Sequence, residues 1–151
     1  MLQSKLCVKN MHKVVFDSVV FVRSLINPRS IWGNLVFEAF LNYRLYISQE
    51  IAIEILEVIQ RPEIKVKFHS LPGRDINIIL EIISQAEVVE VIDIPQISRE
   101  IKDDKFLATA EVAEADYLVS EDQDLLILKE YAGTKIVNTT TFLKILSQKN
   151  Q

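Results

Sequence analysis

Short apolar runs alternate along this chain with longer stretches in which apolar residues recur every three or four positions. The runs at 13–16, 45–47, 88–92, 117–119 and 135–137 are rich in β-branched and aromatic residues. Runs this short and this continuous read as strands buried on both faces of a parallel sheet. The stretch after the first run reads as a loop, with Asn27-Pro28-Arg29-Ser30 as its turn chemistry. Ser30 then opens a helix that carries Ile31, Leu35, Phe37 and Phe40 inward. Ser48 caps a second helix, with Glu50 favourable in its first turn and Ile51, Ile55, Val58 and Ile59 on one face. Arg61-Pro62 ends it, because the residue before proline disfavours helical backbone. Pro72 opens a helix through Ile76, Ile79, Leu80 and Ile83, and another runs from Asp103 to about Glu114. Thr139 or Thr140 caps a last helix through Phe142, Leu143 and Ile145. Strands alternating with helices predict an α/β architecture, a parallel sheet with helices on both faces.

Composition narrows the function classes. With 151 residues and 49% hydrophobic content, the chain suits one domain with a sizeable core. Residues 1–10 show no periodicity and read as a flexible N-terminal arm or an expression remnant, with Met11 an alternative start and 11–148 the domain. No apolar stretch approaches the ~20 residues of a membrane span, and no cleavable signal pattern stands out. One cysteine, Cys7, excludes an internal disulfide framework and a cysteine-rich zinc site. These features point to a cytoplasmic protein without a membrane partner. The net charge of −4 is not the basic footprint of a simple nucleic-acid binder. It leaves a nuclease open, because metal ions can supply positive charge at the phosphate.

Candidate chemistry lies in the acids that end the greasy runs. Asp17 follows the first run, and Ser120-Glu121-Asp122-Gln123-Asp124 follows the fourth. In open α/β sheets, ligands sit in the crevice beyond the carboxyl ends of the strands. Glu54 lies early in the helix after the second run, on a face with Glu50 and Glu57, and Glu57 can pair with Arg61. Asp103 and Asp104 begin the helix before the fourth run. Each acid alone has an ordinary explanation: a turn, a helix cap or a solvated stripe, with Asp124 a cap for the turn Leu125–Leu128. Their order along the chain raises the odds of a site. Several carboxylates in one crevice repel, and a divalent cation removes the conflict.

Four stretches carry a resemblance: Val14 to Val22, Ile47 to Ile55, Asp103 to Ala110, and Ala115 to Leu126. In order and spacing the chain resembles the PIN domain family, metal-dependent ribonucleases that include VapC-like toxins of toxin–antitoxin pairs, over residues 11–143. The resemblance implies a three-layer α/β/α PIN-like fold with a five-stranded parallel sheet of order 3-2-1-4-5. It implies Asp17, Glu54, Asp103 and Asp122 as catalytic residues, and Asp17, Asp103, Asp122 and Asp124 as metal ligands. Asp103 is preferred to Asp104 because its distance from Ala110 keeps the family spacing. An all-oxygen set, with His12 and His69 outside the motifs, suits Mg²⁺ or Mn²⁺. The implied activity is phosphodiester hydrolysis of single-stranded RNA. Arg23, Arg29, Lys102 and Lys105 are candidates for phosphate contact. The implied partners are an RNA substrate, a cognate antitoxin protein and a second copy of the chain.

Two positions depart from the family pattern. Val19 stands where the family has asparagine, losing a side-chain amide beside the first carboxylate. Glu121 stands where the family favours glycine, where it would crowd the pocket or add a ligand. The alternative reading is therefore a PIN-like binding module that has lost catalysis. Other classes fit less well. A dehalogenase-like phosphatase needs a second aspartate at Val19, and no G-x-G-x-x-G follows the first run. Ser18 has no nearby histidine to make it a nucleophile. Trp32, Phe37 and Phe40 read as core.

Overall fold

Strand β1 (His12–Phe16) lies at the centre of the sheet in the computed structural model, which describes residues 11–68, 74–92 and 103–149. Its Val14, Val15 and Phe16 are fully buried, as a strand covered on both faces requires. Strands β2 (Tyr43–Ser48) and β4 (Tyr117–Val119) flank it in parallel. β3 (Glu87–Val89) lies outside β2, and β6 (Thr134–Val137) outside β4. The expected 3-2-1-4 order and the last parallel strand are all present. A sixth strand, β5 (Glu130–Tyr131), joins β6 antiparallel, so the order is β3-β2-β1-β4-β6-β5. β3 is also shorter than the expected 88–92, and Val88 and Ile92 are exposed.

The segment after β1 is a helix, not the expected loop. α1 (Ser18–Ile26) starts at Asp17, whose carboxylate accepts the Val19 N–H at 3.1 Å. It buries Val20, Phe21 and Leu25, and that packing outweighs the modest helix propensity of a valine-rich run. Ser30 caps the next segment as expected, accepting the Gly33 N–H. That segment is irregular: a single turn α2 (Ile31–Gly33), a π-helical turn Asn34–Glu38 and a 3₁₀ turn Phe40–Asn42. The change of pitch shifts the inward face. Leu35 and Val36 are buried, whereas Ile31 and Phe40, expected inward, are exposed.

α3 (Gln49–Ile59) is capped by Ser48 and buries Ile51, Ile55 and Ile59. Pro62 opens α4 (Pro62–Phe68), and α5 (Arg74–Gln85) precedes β3. α6 (Asp104–Ala113) packs against β1, β2 and β4 and ends at Glu114 in the left-handed conformation. α7 (Gln123–Leu126) is a single turn capped by Asp122, not by Asp124, because the Asp122 carboxylate reaches the Asp124 N–H at 2.8 Å. α8 (Thr139–Lys149) closes the described chain. Asn138, not Thr139 or Thr140, caps it, accepting the Thr141 N–H at 2.8 Å. Cys7, His69, Pro72 and Lys102 lie outside the described residues. Among the described residues, no helix is long and apolar enough to cross a membrane.

One face of the sheet is aromatic. Phe16 lies 5.6 Å from Phe21, 5.2 Å from Tyr43 and 6.5 Å from Phe142, ring centre to ring centre. Tyr43 donates its hydroxyl to the Leu35 carbonyl at 2.8 Å, which ties the π-helical turn to β2. Gly33 makes this arrangement possible: an added Cβ would lie 1.9 Å from the Pro28 carbonyl oxygen. We predict that Gly33→Ala pushes two backbone segments apart and costs about 1–3 kcal/mol or more. Chemical denaturation would check this, and an unchanged midpoint would contradict it.

Candidate functional site

β1 and β4 are neighbours, yet the chain leaves one toward β2 and the other toward β6. Their carboxyl ends are level, with Phe16 opposite Val119. The next residues, Asp17 and Ser120, therefore stand side by side at the switch point of the sheet. The Asp17 N–H bonds the Val119 carbonyl at 2.9 Å, and the Ser120 N–H bonds that of Val137 at 3.0 Å. Backbone pairing thus extends past the strand ends and fixes both side chains.

Asp17 is 2% exposed. One carboxylate oxygen takes the Val19 N–H at 3.1 Å, with the Ser18 hydroxyl at 3.5 Å. The other accepts the Ser120 hydroxyl at 2.8 Å, and Ser120 Oγ in turn accepts the Asp122 N–H at 3.0 Å. Burial pushes the Asp17 carboxyl above the usual aspartate range; the Asp122 and Glu54 charges raise it further, while its hydrogen bonds to Val19 and Ser120 oppose the rise. One oxygen each from Asp103, Asp122 and Asp124 lies within 4.8 Å of the others, and Asp17, expected as a fourth ligand, is not among them. Asp103 occupies the position before α6 but makes no capping bond there, whereas Asp122 does cap α7. Asp103 joins the trio and the fully buried Asp104 does not.

Glu54, on α3, reaches the same cleft without joining the trio. Its Oε1 accepts Lys105 Nζ at 2.6 Å, and its Oε2 is buried with no hydrogen-bond partner among the described residues. Lys105, one of the candidate phosphate contacts, is therefore a counter-ion to Glu54. Thr109 supports this pair. Its Oγ1 donates to the Lys105 carbonyl at 2.7 Å and lies 2.9 Å from Ser48 Oγ, joining α6 to the start of α3.

The cleft holds about 390 Å³ and is lined by Glu54, Asp103 and Asp122 together with Arg23, Arg61 and an aliphatic strip that includes Val19. Arg61 faces this cleft and makes no ion pair with Glu57 among the described residues. Arg23 lies over the Trp32 ring at 4.8 Å, and Arg29 lines a separate depression with Glu38. Glu121 neither crowds the trio nor joins it. Its Oε1 accepts the Trp32 indole N–H at 3.2 Å and the Thr139 N–H at 3.1 Å.

The acids lining the cleft were candidates from the sequence; Ser120, Thr109 and the pairing of Lys105 were not. Ser120 carried a signal, a hydroxyl directly at a strand end beside Asp17. Nothing local marks Thr109.

The Asp17 geometry makes a prediction. Folded Asp17 holds its proton to higher pH than in the unfolded chain, so the native state loses stability as pH rises through that window. Asp17→Asn removes the titration. In EDTA, we expect the melting temperature of the variant to gain on that of the wild type as pH rises from the ordinary value of 3.8. A difference that does not change with pH would contradict the burial argument.

A solved structure of PAE2754 from Pyrobaculum aerophilum has the same fold, with a TM-score of 0.55 at 13% identity, covering 91% of this chain and 90% of that one. No curated protein matches the chain. The family model described as PIN domain matches residues 13–124, which span β1, the switch point and all the acids above. The chain belongs to the PIN domain family.

Proposed function

We propose that this protein is a metal-dependent endoribonuclease that hydrolyses phosphodiester bonds of single-stranded RNA. PIN domains are generally nucleases, and the observation that carries the reading here is the convergence of Asp103, Asp122 and Asp124 oxygens at the switch point. Three carboxylates this close suit a hard divalent cation, Mg²⁺ or Mn²⁺, with oxygen ligands. A bound ion would activate water and stabilise charge on the phosphate and the leaving oxygen.

The protein's own residues supply the rest. Asp103, Asp122 and Asp124 hold the ion. Asp17 backs it: its carboxyl is fixed by Ser120 and Val19, and a nearby cation would favour its ionised form. Glu54 orients the attacking water. Arg23 and Arg61, which pair with no carboxylate among the described residues, face the cleft and hold phosphates of the strand. The toxin role, with an antitoxin partner and a homodimer, follows from the resemblance alone. Val19 supports the second reading, a PIN-like module that binds nucleic acid or a protein partner without cutting. It puts an aliphatic side chain, 36% exposed, beside the first carboxylate.

The test is a labelled single-stranded RNA incubated with Mn²⁺, with EDTA, and with Asp122→Asn in place of the wild type. We expect cutting that stops in EDTA and falls at least about a hundredfold in the variant. Mn²⁺ should also raise the melting temperature of the wild type, because a ligand of the native state alone stabilises it. Cutting that survives both treatments would overturn the proposed site, and a metal-stabilised protein that binds RNA without cutting would favour the second reading. A further expectation concerns the arginines. With Ca²⁺ in place of Mn²⁺, Arg23→Gln and Arg61→Gln should each flatten the salt dependence of RNA binding by about 0.7 per lost contact. Slopes identical to the wild type would remove both residues from the strand-binding surface.

A further inference from the structure

We infer that Lys105 is the resident cation at the Glu54 end of the cleft, so that the cleft takes one divalent ion, at Asp103, Asp122 and Asp124, and not a second at Glu54. The inference rests on the metal-dependent reading above and specifies how that site is filled.

The lysine stands in the first turn of α6, two positions after Asp103, and its ammonium reaches Glu54, which lines the cleft. Its ammonium meets Glu54 Oε1 at 2.6 Å, with side chains only 20% and 24% exposed. Nζ also lies 5.6 Å from the centre of the Phe106 ring, a second favourable contact for the charge. Thr109 bonds the Lys105 carbonyl and lies against Ser48, so the backbone that presents the lysine is itself tied to the helix that presents Glu54.

Competition for Glu54 follows. Glu54 Oε1, in a short charge-assisted bond, is a poor metal ligand until its donor leaves, and Oε2 is buried away from the open cleft. Removing the lysine from its shielded position would strand Glu54 among Asp17, Asp103 and Asp122, where like charges repel. The remaining acids are placed differently. Three of them converge within 4.8 Å, and Glu54 is not one of the three. A compact ammonium can occupy a place between carboxylates that a second divalent ion would otherwise fill. Lys105 then acts as a positioning residue: it fixes Glu54, and it caps the number of metal ions at one.

The test is a Mn²⁺ titration of the full chain without RNA, reading free Mn²⁺ by electron paramagnetic resonance. The wild type should bind one ion per chain. Lys105→Met should gain a second ion or bind its ion roughly tenfold more tightly, because a positive charge has left the cleft. Lys105→Arg should restore wild-type behaviour. Lys105→Met combined with Glu54→Gln removes both charges and should return to one ion at wild-type affinity, which keeps the test valid should the single variant fold poorly. Two ions in the wild type, or a Lys105→Met variant with unchanged stoichiometry and affinity, would overturn the assignment of Lys105 and leave the metal-dependent reading standing. A wild type that binds no Mn²⁺ would overturn both.

Discussion

Like charges gathered in a crevice of low dielectric are costly, and the architecture around the switch point is arranged to contain that cost. The sheet creates the problem by making β1 and β4 neighbours and ending each in polar residues. Each acid then meets a different counterweight. Asp17 has the N-terminus of α1 and the Ser120 hydroxyl. Asp122 has the Asp124 N–H in α7's turn. Glu54 has Lys105, and Glu121 is drawn aside by Trp32 and the start of α8. The closest gathering of carboxylates among the described residues is where oxygens of Asp103, Asp122 and Asp124 converge.

The parts of the fold that were legible in the sequence were those with a clean period. Val14-Val15-Phe16 and Tyr117-Leu118-Val119 announce buried parallel strands, and the Ser48 helix shows both its cap and its face. α1 was hidden because Val19-Val20-Phe21-Val22 has no polar face to reveal a period, although a cap was one of the readings open for Asp17. The segment after Ser30 misled for another reason: a π-helical turn followed by a 3₁₀ turn carries no constant period, so Phe40 falls outside. The acids of the candidate site were legible from their order. Their partners were not, because Ser120 with Asp17, Lys105 with Glu54 and Trp32 with Glu121 are joined only by strand register and helix packing.

The two departures from the family pattern have unequal effects. Glu121 becomes part of the scaffold, since one of its oxygens binds both an indole and a helix N-terminus. Its charge is spent on holding α2 and α8 together. Val19 is different. Its backbone N–H serves Asp17 as any residue's would, while its side chain extends the aliphatic wall of the cleft beside Val22 and Val58. The first carboxylate therefore keeps its cap and loses only a lateral polar neighbour.

Among the described residues, both margins of the sheet are strands too brief to make a good template. β5 has two residues and runs against its neighbour, and β3 has three. Unpaired peptide groups at a sheet margin invite another chain to add a strand, and shortness is one way proteins refuse that invitation. Brevity at both margins therefore works against lateral addition of a strand from another chain.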